Sequence, residues 1–139
     1  MWSKTHSQLV KGLQADDIWK VWTDVNNWHI WQPDIEYARI NGDFKVGNSF
    51  TLKPKSGPAV SIEIISAEPG RKFIDLTRFP GARMYGAHEF TSQGDELEIR
   101  TTMSIEGPLS FLWRKIVAEN IANNMPQQTE ALIAQARTT

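Results

Sequence analysis

The sequence predicts an α+β domain in which an antiparallel sheet of six or seven strands is covered on one face by a long C-terminal helix. Three observations predict it. The hydrophobic period is helical over residues 14–28, becomes 2 between residues 49 and 106, and turns helical again after Pro108. Turn signals punctuate the middle of the chain: "NGD" at 41, "KSGP" at 55, "EPGR" at 68, "FPGAR" at 79 and "SQGDE" at 92. Strands so closely spaced read as an antiparallel meander with one wet face, and only the last helix is large enough to cover the other.

Residues 3–10 are short, polar and Ser/Thr-containing, which suits an edge strand. "QADDIWKVWTDVNNW" follows as a helix: Asp16 or Asp17 caps free amides at its start, and Ile18, Trp19, Trp22 and Val25 recur at helical spacing. Asn26 and Asn27 break it, and a second helical turn at 28–32 ends before Pro33. "SFTLK" and "AVSIEIIS" then alternate apolar and polar residues. The cleanest alternation is "ELEIRTTMSIEG", with Leu97, Ile99, Thr101, Met103 and Ile105 on one face and Glu98, Arg100, Thr102, Ser104 and Glu106 on the other. Beyond it, Leu109, Leu112, Trp113, Ile116, Val117, Asn120 and Ile121 trace one helical face. Pro108 suits the first turn, while Pro126 is expected to kink or split the helix because it lacks an amide hydrogen.

Composition narrows the function classes. A chain of 139 residues suits one domain, residues 1–139, with a sizeable core. The net charge of −1 with no basic block gives no support for a nucleic-acid partner. The absence of cysteine removes disulfides, thiolate zinc sites and thiol nucleophiles. "MWSKTHSQLV" lacks the apolar run of a signal peptide, and no segment reaches the ~18 apolar residues that span a bilayer, so a cytoplasmic location without membrane insertion is expected. Three histidines (His6, His29, His88) offer no metal spacing, and no phosphate-binding glycine loop or GxSxG elbow is present, so neither metal nor cofactor is expected.

The helix ending in "DVNNWHIWQPD", the "GDFKVGNSF" after one hairpin and the "GPLSFLW" opening the last helix resemble the START-like (SRPBCC) superfamily, and within it the small bacterial polyketide cyclase/dehydrase-type proteins. The resemblance runs from about residue 4 to 137. It implies a helix-grip fold: a seven-stranded antiparallel sheet curved around the C-terminal helix, enclosing a cavity for an apolar or amphipathic ligand. Such proteins include lipid carriers, hormone-binding proteins, aromatic cyclases and co-chaperone domains, so the fold leaves the function open.

Within that expectation, the strand "MYGAHEF" carries Met84, Gly86, His88 and Phe90 inward, in phase with Phe90. His88 among Met, Phe and Trp is then the one polar group in the middle of the cavity wall. Two readings stay open: a ligand-binding or acid–base histidine, or a buried one satisfied by a backbone carbonyl or a hydroxyl such as that of Thr101. Arg78 shares the phase of Ile74 and Leu76, but Phe73 and Phe79 compete for it, so it is either solvated or a clamp for a carboxylate. Four of the six tryptophans fall between residues 19 and 31. Trp19 and Trp22 are expected under the sheet edge, and Trp28 and Trp31 either in the core or on the pocket rim. Met103, Trp113 and Ile116 complete the expected lining, and Asn120 is either the polar end of the cavity or a helix rim reaching water. Glu63, Glu98 and Glu106 alternate onto wet faces, which argues against paired-carboxylate catalysis.

Three functions follow from this sequence. One is a carrier, sensor or store for a small hydrophobic or aromatic molecule, monomeric or weakly dimeric. Another is a cyclase/dehydrase-type enzyme using His88 as general acid–base. The third is a co-chaperone-like interaction module, which the scattered charges support least.

Overall fold

A computed structural model describes residues 1–138. The chain begins with β1 (Trp2–Lys11), α1 (Ala15–Thr23), a 3-10 turn (Val25–Asn27) and α2 (Trp28–Trp31). Six further strands follow: β2 (Ile35–Ile40), β3 (Ser49–Pro54), β4 (Val60–Glu68), β5 (Lys72–Phe79), β6 (Ala82–Gln93) and β7 (Glu96–Glu106). They form one sheet in the order β1-β7-β6-β5-β4-β3-β2, with every neighbouring pair antiparallel. The strands from β2 to β7 are a meander, and β1 returns to the edge beside β7, as its polar pattern predicts. The two short helices therefore carry the chain from one edge of the sheet to the other.

Local chemistry accounts for most boundaries. The Gln14 amide donates to the Asp17 carboxylate at 2.8 Å, which together with Asp16 places two acids at the positive end of α1. The Asn27 side chain donates to the Asp24 carboxylate, tying the 3-10 turn that separates α1 from α2. On β7 the expected inward set Leu97, Ile99, Thr101, Met103 and Ile105 is buried without exception.

The C-terminal helix differs from its expected form. It runs as α3 (Ser110–Trp113), a π-helical turn (Arg114–Ala118), α4 (Glu119–Asn123) and α5 (Met125–Thr138). The break at Asn124 precedes Pro126, whose missing N–H removes a bond to the preceding turn. The π turn inserts a residue and rotates the face that follows. The buried positions are Ala118, Ala122, Met125, Thr129, Leu132, Ile133 and Ala136. Of the expected stripe, Trp113, Val117 and Ile121 are half-buried, while Leu112, Ile116 and Asn120 are exposed. The alanines decide this: their small side chains let the backbone approach Met103 and Ile105, which bulkier residues would hold off.

The interior divides into two apolar clusters. One holds Ile18, Trp22, Val25, Trp28, Trp31, Phe50, Phe73, Phe90, Leu97, Ile99 and Leu132; the other holds Ala82, Met84, Met103, Ile105, Ala118, Ala122 and Met125. Four elements pass from one cluster to the other through small or polar residues. On β5 these are Asp75 and Thr77, on β6 Gly86 and His88, on β7 Thr101, and on α5 Thr129. A polar belt thus crosses the middle of the concave face.

Candidate functional site

The register of three central strands builds the belt. Phe73 lies opposite His88, Asp75 opposite Gly86 and Thr77 opposite Met84; across the next seam His88 faces Thr101 and Gly86 faces Met103. Side chains alternate along a strand, so Phe73, Asp75, Thr77 and Phe79 share the concave face, and Ile74, Leu76 and Arg78 the convex one. Phe73 and Phe79 win the phase that the sequence left contested.

His88 is 8% exposed and held between rings. Phe73 stacks on it with centroids 4.3 Å apart and planes 18° apart, and Trp22 tilts against it at 4.6 Å. His88 Nε2 stands 3.5 Å from Asp75 Oδ2. The ring therefore pairs with a carboxylate, at a distance too long for a firm hydrogen bond. Nδ1 of His88 and Nε1 of Trp22 are buried with no protein hydrogen-bond partner, as is Nε2 of Gln32, whose Oε1 accepts from Gln128. A buried polar atom left unmade costs about 1–3 kcal/mol.

Asp75 reaches His88 because position 86 is glycine. A Cβ there would lie 2.8 Å from Asp75 Oδ1 and 3.1 Å from Oδ2, so the carboxylate occupies the space above Gly86. The Asp75 side chain keeps 18% of its surface accessible despite facing inward, so the concave face is not fully sealed around it. The sequence reading placed acids on wet faces and missed Asp75, since "FIDLTRF" is apolar in both phases. One signal was present: a glycine between two inward residues, Met84 and His88, implies that something larger approaches the strand there.

The other expected lining residues fall into two groups. Met84, Phe90, Thr101 and Met103 are buried on the concave face, as their alternation requires. Trp28 is a core residue rather than a rim one: its Nε1 donates to the Trp22 carbonyl at 3.0 Å and its ring meets Trp22 and Phe50. Trp31 is buried but also borders a surface depression of about 160 Å³ with Val21, Asp24 and Gln135, and its ring packs edge-on against Trp22 at 5.3 Å. A larger, open depression of about 490 Å³ lies at the β6–β7 turn, lined by Asp16, Asp95 and Glu96 among others and without aromatic walls.

Arg78 takes the solvated of its two readings and Asn120 the water-facing one, while Ile116 is corrected from lining to exposed. Arg78 faces solvent and pairs with Glu63 at 3.5 Å, because β5 adopts the phenylalanine phase. Ile116 is 58% exposed and Asn120 is exposed, because the alanine face of the helix takes the sheet. Trp113 caps the far end, stacked on Phe79 at 4.5 Å and donating to the Pro80 carbonyl. Among the described residues no group of three or more His, Asp or Glu is arranged to hold a metal ion, and no helix is long and apolar enough to cross a membrane.

No family model matches the chain, and no curated protein matches it either. Solved structures do. A hypothetical protein of Helicobacter pylori superposes with a TM-score of 0.77 at 17% identity, covering 96% of this chain and 87% of its own. A START superfamily protein of Mycobacterium smegmatis gives 0.72 at 13% identity, covering 98% and 97%. Norcoclaurine synthase of Thalictrum flavum, in its complex with dopamine and hydroxybenzaldehyde, gives 0.67 at 18% identity, covering 97% and 84%. At such identities the likeness speaks for the fold alone. Seven antiparallel strands curved against a C-terminal helix, with two short helices after β1, give this chain the helix-grip fold, shared with the START superfamily protein of Mycobacterium smegmatis.

Proposed function

We propose that the protein binds a small aromatic or otherwise hydrophobic molecule at the centre of its concave face, as a carrier, sensor or store working in the cytoplasm. The observation that carries this reading is the pair of unpartnered buried nitrogens, Nδ1 of His88 and Nε1 of Trp22, on rings in contact inside an aromatic cluster. A molecule with a flat apolar body and one polar group satisfies both features of such a place. Trp31, packed on Trp22 and bordering the 160 Å³ depression, is the natural door between the two short helices and α5. Native mass spectrometry of the purified protein, followed by denaturing extraction, is expected to release a small aromatic or lipid-like molecule. Only apo mass, together with no saturable binding of hydrophobic dyes or aromatic acids, would sink the reading.

A second reading, a cyclase/dehydrase-type enzyme, draws on Asp75. A carboxylate beside one ring nitrogen orients a histidine so that the other nitrogen can take a proton from substrate. If this operates, the protein speeds solvent deuterium exchange into an enolisable β-diketone, and His88→Gln reduces that rate by about 10²–10⁴-fold. Exchange unaffected by His88→Gln removes His88 from any such mechanism.

A further inference from the structure

We infer that the ligand presents a phenolic or enolic hydroxyl, which donates to Nδ1 of His88 and accepts from Nε1–H of Trp22; the inference rests on the ligand-binding reading. The chemistry of the two nitrogens leads to it. A carboxylate only accepts hydrogen bonds, so when the His88 ring carries one proton we assign it to Nε2, the nitrogen that stands 3.5 Å from Asp75. Nδ1 is then an acceptor. Indole Nε1–H is a donor and nothing else. The site thus offers one acceptor and one donor on rings 4.6 Å apart, both without a protein partner.

Among ligand groups with a single polar heteroatom, a hydroxyl is the one that answers both. A ketone or ether accepts from Trp22 and leaves Nδ1 unmade. An ammonium group donates to His88 and leaves Trp22 unmade. A carboxylate brings a second negative charge beside Asp75. The walls select the rest of the molecule: Trp22 and Phe73 present ring faces and edges to whatever lies against His88, which suits a planar, conjugated body.

Asp75 is therefore a positioning residue, and Gly86 the residue that admits it. Asp75 sets which nitrogen of His88 accepts, and so which ligand polarity the site prefers. A side chain at position 86 meets both carboxylate oxygens and moves them off the ring.

The test is an NMR titration of the full chain, labelled with ¹⁵N, with p-cresol and with its methyl ether. The two probes share a ring and an acceptor oxygen, but only p-cresol can donate. The expected result is p-cresol binding about tenfold or more tighter. It should shift the Trp22 indole resonance, with His88 ring nitrogens in the Nε2-protonated pattern. Asp75→Asn frees the tautomer, since a carboxamide offers both donor and acceptor, and the preference should fall toward unity while the amide fingerprint stays folded. Gly86→Ala, which keeps the carboxylate but displaces it, should lower the preference in the same direction.

Equal affinity for the two probes overturns the hydroxyl inference and leaves the ligand-binding reading standing, as does a Nδ1-protonated ring or a shift confined to residues away from Trp22 and His88. A preference that survives both Asp75→Asn and Gly86→Ala overturns the positioning role. Binding of neither probe up to its solubility limit removes this inference and, together with a clean apo mass, the reading beneath it.

Discussion

Phe73→Ala is expected to lower stability by about 3–5 kcal/mol, at the upper end for a single core truncation. Phe73 is fully buried and is the hub of the aromatic cluster. Its ring meets Trp22 at 5.4 Å, Phe44 at 5.1 Å and Trp19 at 6.1 Å, and stacks on His88 at 4.3 Å. Its neighbours are large rings packed on one another, so the hole collapses poorly and the cavity term adds to the lost transfer free energy. Edge-to-face pairs contribute about 0.5–1.5 kcal/mol beyond burial, and several are lost together. The melting temperature should fall by roughly 10–20 °C for a domain of this size. Urea unfolding should show a lower midpoint with an unchanged slope. Phe73→Leu keeps most of the volume and should recover more than half of the loss. A loss below about 1 kcal/mol for alanine would mean that this cluster is not the core of the protein. The same substitution removes the plate against which His88 rests, so ligand affinity should fall with it.

Gly107→Ala is expected to cost about 2–5 kcal/mol for a different reason. Gly107 joins β7 to the C-terminal helical segment with φ at +117°, a region that residues with a Cβ rarely adopt. The added Cβ would also sit 2.6 Å from the Gly81 carbonyl oxygen and 2.9 Å from the Ala82 Cα. Those are backbone atoms of the β5–β6 turn, and they cannot swing away as a side chain can. The Gly81 carbonyl is already held, because it accepts from the Leu109 amide at 2.8 Å. Either the turn opens or the helical segment lifts, and in both cases the stack of Trp113 on Phe79 is disturbed. Thermal unfolding should therefore register a large loss, and the near-ultraviolet circular dichroism of the folded protein should change as well. An unchanged melting temperature and spectrum would show that this junction has slack that the close backbone approach denies.

How much of this was legible without coordinates depends on how many solutions each local pattern allows. The alternation of β7 admits one phase, because its polar positions carry charge or hydroxyls throughout, and the structure adopts that phase. The break ahead of Pro126 is likewise a local matter, since the missing amide acts wherever the helix lies. His88 was readable as inward because Phe90, two residues on, has nowhere else to go. On β5, by contrast, Phe73 and Phe79 pull one way and Ile74 and Leu76 the other, so periodicity leaves the phase of Asp75 and Arg78 undecided. Pairing with β4 and β6 decides it, seating Asp75 between Ile64 and Gly86.

The final helix carries two adjacent apolar stripes, and hydrophobicity favours the bulkier one. The sheet accepts the alanine stripe because close approach of the backbone outweighs the larger side chains, and a π turn supplies the rotation. The sequence by itself thus determined the order of elements, the wet and dry faces of its clearest strands, and the inward course of His88. The meeting of Asp75 with His88, the exposure of Ile116 and Asn120, and the placing of Trp28 in the core were decided only by the tertiary structure. Those outcomes depend on register and on distances between elements far apart in the chain, and no local period encodes them.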